Sequence, residues 1–305
     1  MHGRHSRRFR IGWAEVVLVS LTPVYRDVLL SLEAYRQGSP LWPAFATIAY
    51  QPHQAFFDGL TETYGPSLFG PEGLPGAVQQ SALMLHEALR PAPTYRMEER
   101  AAAILEATRP YLPGPMPDLY VGTLFFTAPA ATLSVRGRPA IALGLERFSP
   151  QPPSTGEKYW YHPDEVVEML PHEAAHAVRM EALGLPPTPQ GLSLLDMLLL
   201  EGTALLFTDL LLGRETIATF INPERLAWHK ANDDWVLAAV DREFPATGMG
   251  VFRRYFAADA PVSGYYAGLS LCRRYLERYG AGAMPELLLL PSAEVLRRLG
   301  WRAHG

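Results

Sequence analysis

The sequence HEAAH at residues 172–176 constrains this chain more than any other feature. Residues four positions apart lie on the same face of a helix, so both histidine rings would point to one side. Helix-forming residues surround the segment, and Gly184 followed by Pro186 marks the end of the predicted helix. Pro171 costs about 3 kcal/mol inside a helix, so we expect a kink at this residue or the start of a new helix.

Two histidines with this spacing can bind one metal ion, but a hydrolytic zinc site needs a third protein ligand beside its water molecule. Glu201 lies in the apolar stretch 192–212, where an unpaired carboxylate would be costly. We therefore expect one zinc ion per chain, bound by His172, His176 and Glu201, with Glu173 as the general base. A buried Glu201 that is paired with an arginine, or that is protonated, is the alternative.

The stretch 192–212 is long enough to cross a membrane, but it carries three acidic residues, Asp196, Glu201 and Asp209. A charged group at the middle of a bilayer costs about 2.5–3.5 kcal/mol on insertion scales. We therefore expect no membrane span here, but a helix buried inside protein whose carboxylates find partners.

The composition excludes several classes of protein. The 305 residues are 48% hydrophobic and 19% charged, which is typical of a globular chain and not of a disordered one. The net charge of −4 argues against a nucleic-acid partner, which would need a basic face. The single cysteine, Cys272, excludes an intramolecular disulfide and is expected to be a core thiol. Together with the lack of a convincing export signal, it favours the cytoplasm.

The chain divides into two halves of different character. Residues 1–155 combine predicted helices with predicted strands, whereas residues 156–305 are predicted to be helical. The predicted helices of the first half are 24–36, 78–89 and 98–108, and its predicted strands are 16–21, 118–127, 131–135 and 140–145. The last two strands are separated by Arg136-Gly-Arg138, which is hairpin spacing. We predict an α+β fold in which a small sheet with N-terminal helices is followed by a helical half that carries the metal site, as one compact catalytic unit.

Four segments of the chain, within roughly residues 115–295, resemble the bacterial family of predicted zinc-dependent proteases, a gluzincin-type domain of unknown function. The segments are GRPAIALGLE at 137–146, HEAAH at 172–176, LLDMLLLEG at 194–202, and GYYAG at 264–268 followed by YLERYG at 275–280. The metal motif is shared with many metalloproteases, whereas the glycine-flanked strand and the Gly-Tyr-x-x-Gly segment are more specific to this group.

The resemblance implies a zincin-like fold of the gluzincin type and a zinc metallopeptidase that acts on a peptide or protein substrate. It also places a tyrosine beside Gly264, so we expect Tyr265, or next to it Tyr266, to stabilise the oxyanion, a contribution of about 3 kcal/mol. Four histidines are alternative donors: His53, His86, His162 and His229.

The chain departs from gluzincins one turn after Glu201. Gluzincins often have an acidic residue there that orients a metal-binding histidine, but this chain has Leu205. The group that orients an imidazole would have to be Asp196, Asp209 or a backbone carbonyl.

By analogy with gluzincins, the hairpin 131–145 could pair with an extended peptide along its free edge. Two alternatives to a peptidase remain at this point. One is a catalytically inactive protein of the same fold that acts by binding partners, and the other is a hydrolase of non-peptide amides.

Overall fold

A four-stranded sheet forms the framework of the first half of the chain. The computed structural model describes residues 19–149, 160–257 and 259–301. The strands are β1 (Leu21–Thr22), β2 (Leu119–Gly122), β3 (Ala130–Val135) and β4 (Arg138–Gly144). Their order is β1-β2-β4-β3, with β2 parallel to β1 and β4, and β3 antiparallel to β4 at the edge of the sheet. The sheet with its helices confirms the predicted α+β class.

The β3–β4 hairpin is tighter than we predicted. Val135 pairs with Arg138, so the turn contains only Arg136 and Gly137, and Arg138 already belongs to β4. Both turn residues have positive φ, 55° and 74°, which is typical of the two-residue turns that match the twist of a hairpin. This turn fixes the register of β3, and therefore decides which of its side chains face each side of the sheet.

The helices of the first half are α1 (Val24–Arg36), α2 (Leu41–Phe45, continued by a π-helical turn at Ala46–Tyr50), α3 (Gln54–Tyr64), α4 (Pro66–Phe69), α5 (Gly73–Leu89) and α6 (Met97–Thr108). The three helices predicted for the first half are present as α1, α5 and α6, the last two with longer N-terminal ends, and α2, α3 and α4 were not predicted. The first strand was predicted at 16–21. Residues 19 and 20 are not in a strand, so only Leu21 of the described part of this prediction lies in β1; residues 1–18 and the predicted boundary at 155 lie outside the described residues.

In the described residues of the second half, the regular structure is helical, apart from isolated β-bridges at Tyr161 and between Ser193 and Thr247. Its helices are α7 (Val166–Leu183), α8 (Leu194–Leu212), α9 (Pro223–Ala231), α10 (Asp233–Asp241), α11 (Met249–Phe256), α12 (Gly264–Tyr279), α13 (Met284–Leu289) and α14 (Ser292–Leu299). Buried apolar side chains from both halves pack into one hydrophobic core, which contains Cys272 as expected.

Helices α7 and α3 cover opposite faces of β3. The side chain of Thr132 contacts Glu173 of α7, whereas Val135 lies beside Gly59 of α3. Residues separated by an odd number of positions point to opposite faces of a strand, so the two helices lie on different sides of the sheet. The HEAAH segment of α7 is thereby held directly against the sheet.

Helix α8 is buried, and each of its carboxylates has a partner. Asp196 forms a capping box with Ser193 at the start of the helix. Asp209 accepts hydrogen bonds from Thr216 and Arg273, and Glu201 faces the histidines described below. Among the described residues, no helix has the length and apolar character that a membrane crossing requires.

The backbones of α8 and α12 touch where two glycines meet. A Cβ atom at Gly268 would overlap the carbonyl oxygen of Leu198, and a Cβ atom at Gly202 would overlap the backbone of Gly268. Gly202 directly follows Glu201, and Gly268 lies about one turn after Tyr265. The contact between two residues without side chains therefore brings Glu201 and Tyr265 toward each other.

We expect the substitution Gly268→Ala to lower the free energy of unfolding by about 3 kcal/mol, because α8 and α12 must separate to accommodate the methyl group. The measurement is urea denaturation followed by circular dichroism. Gly76→Ala is the matched control, since Gly76 lies inside α5 with open space around it. This control should gain about 0.5–1 kcal/mol, because alanine favours helix. Equal stability of the Gly268→Ala variant and the wild type would contradict the close contact.

Candidate metal centre

The HEAAH segment lies in one continuous helix. A 3₁₀ turn at Pro163–Glu165 leads into α7, which runs from Val166 to Leu183 with Pro171 inside it. No new helix therefore begins at Pro171. The proline lacks the N–H group that another residue would have used to donate a hydrogen bond to Val167. Gly184 ends the helix in the left-handed conformation, φ 61°, as its position predicted.

His172, His176 and Glu201 meet in the space between α7 and α8. The Nε2 atoms of the two histidines are 2.8 Å apart. The Oε2 atom of Glu201 lies 3.3 Å from Nε2 of His172 and 3.4 Å from Nε2 of His176. The exposed fractions of the side chains are only 7% for each histidine and 18% for Glu201. The alternative of an arginine partner for Glu201 is thereby wrong, because the carboxylate faces two imidazoles.

The three donor atoms fit a zinc ion. Tetrahedral ligands with bonds of about 2.0–2.1 Å are separated from one another by about 3.3 Å. The observed separations of 2.8, 3.3 and 3.4 Å are close to this value. Two imidazole nitrogens and one carboxylate oxygen are also ligand types that zinc prefers. His172, Glu173 and His176 alone already form a cluster whose ligand atoms lie within 4.8 Å of one another.

The charges of the cluster depend on one another. Burial raises the pKa of Glu201, but His176 and His172 outweigh burial and hold the pKa of this carboxyl well below its ordinary value. Burial lowers the pKa of His176, while Glu201 and Glu173 outweigh it and leave this pKa raised overall. The carboxylate of Glu201 is therefore ionised at neutral pH, which is the state in which it can bind a cation.

Glu173 faces the sheet beside the two histidines. Its Oε2 atom accepts a hydrogen bond of 2.8 Å from the hydroxyl of Thr132 on β3. A carboxylate oxygen of Glu173 lies within 4.8 Å of the histidine ligand atoms, so a single water molecule can bridge them. Sequence reasoning missed Thr132, since the contact joins a strand to a helix that follows it by about 40 positions in the chain.

A row of aromatic rings leads from His172 to Tyr265. The ring of His172 stacks on Phe220 at 5.3 Å, and Phe220 packs against Tyr265 at 4.6 Å. Burial raises the pKa of Tyr265 well above its ordinary value, and the nearby carboxylates of Glu201 and Glu173 raise it further. The phenol therefore stays protonated and can donate a hydrogen bond. Phe220 lies in a segment without any metal-site motif, so the sequence contained no signal for it.

The other donors that we considered have partners elsewhere. Burial raises the pKa of Tyr266, and Asp233, with which its hydroxyl forms a hydrogen bond, adds to the rise. The four alternative histidines interact with Asp27 (His53), Arg36 (His86), the backbone of Asp164 (His162), and the backbone of Arg225 and Ser263 (His229). Of the candidate donors, Tyr265 is the one that the structure places beside Glu173 and Glu201.

Neither of the two acidic residues that we considered, Asp196 and Asp209, orients a histidine of the HEAAH segment. Asp196 caps α8, and Asp209 binds Thr216 and Arg273. The Nδ1 atom of His176 is buried and has no hydrogen-bond partner among the described residues. The ring of His172 is instead held by stacking on Phe220.

Glu146 supports a strained loop near the centre. Its Oε1 atom accepts hydrogen bonds from the backbone nitrogens of Leu124 and Phe126, at 2.7 and 3.0 Å. Phe125 and Phe126 have positive φ, 50° and 63°, a conformation that costs a bulky residue about 1–3 kcal/mol. Burial raises the pKa of Glu146 above its ordinary value. Burial raises the pKa of Tyr64 to about 12, and the charges of Glu173 and Glu146 both add to this rise.

Helices α7 and α8 bring together two histidines and a glutamate that could hold a metal ion. Residues 155–297 match the model of a family described as predicted Zn-dependent protease (DUF2268). This confirms the resemblance over the part of the chain that contains the HEAAH segment, Glu201 and Tyr265. The segment GRPAIALGLE at 137–146 lies outside the match. The comparisons with curated proteins and with solved structures gave no match.

We expect Glu146→Ala to lower the free energy of unfolding by about 3 kcal/mol, because two buried backbone N–H groups lose their acceptor. Glu146→Gln retains an oxygen in the same place and should cost about 1 kcal/mol. Urea denaturation of both variants measures the difference. Equal losses for the two variants would show that the acceptor oxygen does not stabilise the loop.

Proposed function

We propose that this protein is a zinc-dependent metallopeptidase of the gluzincin type. The convergence of His172, His176 and Glu201 on one point, at separations that suit a zinc ion, carries the proposal. The family match supports it, since the family is described as predicted Zn-dependent protease. The arrangement of an HExxH helix and a later helix with a glutamate ligand agrees with the gluzincin type.

The residues have distinct roles in peptide hydrolysis. Zinc bound by His172, His176 and Glu201 would polarise the substrate carbonyl and make water a stronger nucleophile at neutral pH. Glu173 accepts the proton of the attacking water and returns it to the leaving amine. The protonated phenol of Tyr265 donates a hydrogen bond to the carbonyl oxygen as that oxygen gains negative charge.

Pairing of a peptide with the hairpin stays a prediction. β3 is an edge strand, but α3 packs against it so closely that a Cβ atom at Gly59 would lie 2.6 Å from the carbonyl oxygen of Ser134. Ala131 and Ser134 are the two residues of β3 that remain partly exposed. The contact with α3 therefore restricts a paired peptide to the end of β3 near Ala131.

The first test is the zinc content of purified protein after dialysis, measured by elemental analysis. We expect about one zinc per chain in the wild type and a large loss in Glu201→Ala, because two histidines alone bind zinc weakly. Glu181→Ala is the control, since Glu181 lies on the same helix but forms an exposed pair with Arg138. A folded wild type that cannot be loaded with zinc would contradict the proposal and favour a catalytically inactive, partner-binding protein.

The second test is Glu173→Gln, assayed on a panel of peptides and of non-peptide amides. We expect this variant to retain its zinc and to lose at least about 10²-fold in kcat, which is the usual contribution of a general base. Glu181→Gln should cleave like the wild type. Full activity of Glu173→Gln would remove the base that we assign, and cleavage of non-peptide amides alone would identify the protein as an amide hydrolase of another class.

A further inference from the structure

We propose that Thr132 is a positioning residue that holds the Glu173 carboxylate in the orientation needed for proton transfer. The inference rests on the proposed function, because it assigns a role toward the general base. It concerns a residue outside the HEAAH segment and outside the residues that match the family model.

The contact is a specific one. The hydroxyl of Thr132 lies 2.8 Å from Oε2 of Glu173 and 3.1 Å from the backbone oxygen of the same residue. The single hydroxyl proton of Thr132 therefore has two acceptors within reach, the Oε2 atom and the backbone oxygen of Glu173. The exposed fraction of Thr132 is only 9%, so little water is present to replace this donor.

The position of Thr132 is fixed by the sheet. The two-residue turn pairs Val135 with Arg138, and this register places Thr132 opposite Ile141. The backbone nitrogen of Ile141 donates to Asp118 on the other side of β4, so β4 is bonded on both edges. The Thr132 hydroxyl therefore projects toward α7 from a strand whose register is fixed by its pairing with β4.

The hydrogen bond restrains the carboxylate of Glu173. Its Oε2 atom accepts the bond from the hydroxyl of Thr132, which directs this oxygen toward β3. The side chain is also restricted in rotation, because turning the carboxylate would break the bond to the strand. Proton transfer requires a base at a fixed distance and angle, so loss of this restraint should slow the chemical step more than it weakens substrate binding.

The test compares Thr132→Val, which has the same shape without the hydroxyl, with Thr132→Ser, which keeps the hydroxyl. We expect Thr132→Val to retain its zinc and its KM and to lose about tenfold in kcat, an effect on positioning alone. Thr132→Ser should recover most of the lost kcat. Thr108→Val is the matched control, because Thr108 is fully buried and its hydroxyl donates only to Ile104 of its own helix.

A second readout needs no activity. In metal-free protein, the coupling of glycine ethyl ester to Glu173 by a water-soluble carbodiimide is measured by mass spectrometry. The bond to Thr132 protects one carboxylate oxygen, so Thr132→Val should couple several-fold faster than the wild type, while Thr132→Ser and Thr108→Val should couple at the wild-type rate.

The two readouts separate the inference from the proposed function. If the wild type cleaves no peptide, the proposed function fails, and the coupling rates still decide whether Thr132 holds Glu173. Wild-type kcat in Thr132→Val, no recovery in Thr132→Ser, or equal coupling in all variants would overturn the role of Thr132. Reduced kcat in Thr132→Val with recovery in Thr132→Ser and faster coupling in Thr132→Val would establish it.

Discussion

The burial of Glu201 between two imidazoles is the constraint on which the rest of the structure depends. An ionised carboxylate is costly to remove from water, and α8 is otherwise almost entirely apolar. The helix can keep this charge only because α7 places His172 and His176 against it. Helix α7 must therefore present its HEAAH segment to α8, and α12 packs against α8 next to Glu201, at Gly202.

Each layer of the protein provides a different part of the site. The sheet holds the carboxylate of Glu173 through Thr132, and helices α7 and α8 supply three side chains that could hold a metal ion. The aromatic row through Phe220 contacts His172 at one end and Tyr265 at the other. These parts come from segments distant in sequence, so the site forms only when the sheet and the helices are packed together.

The parts of the site that could be predicted are those with a local pattern or an evident energetic cost. The spacing of His172 and His176 predicted a shared helix face, and the cost of a carboxylate in an apolar stretch pointed to Glu201. The hairpin followed from a glycine between two strand patterns, but its exact register did not. Contacts between distant segments, such as those of Thr132 and Phe220, have no periodicity to reveal them. Asp196, one of three groups that we considered for orienting a histidine, instead caps α8, because Ser193 was available as a capping partner nearby.

The glycine contact between α8 and α12 has a consequence for how the molecule can change. Because Leu198, Gly202 and Gly268 meet through backbone atoms alone, neither helix can slide or rotate without a collision. Glu201 and Tyr265 are attached on either side of this joint and keep a constant spacing. A displacement of α8 would therefore carry α12 with it, so Glu201 and Tyr265 would move as one unit.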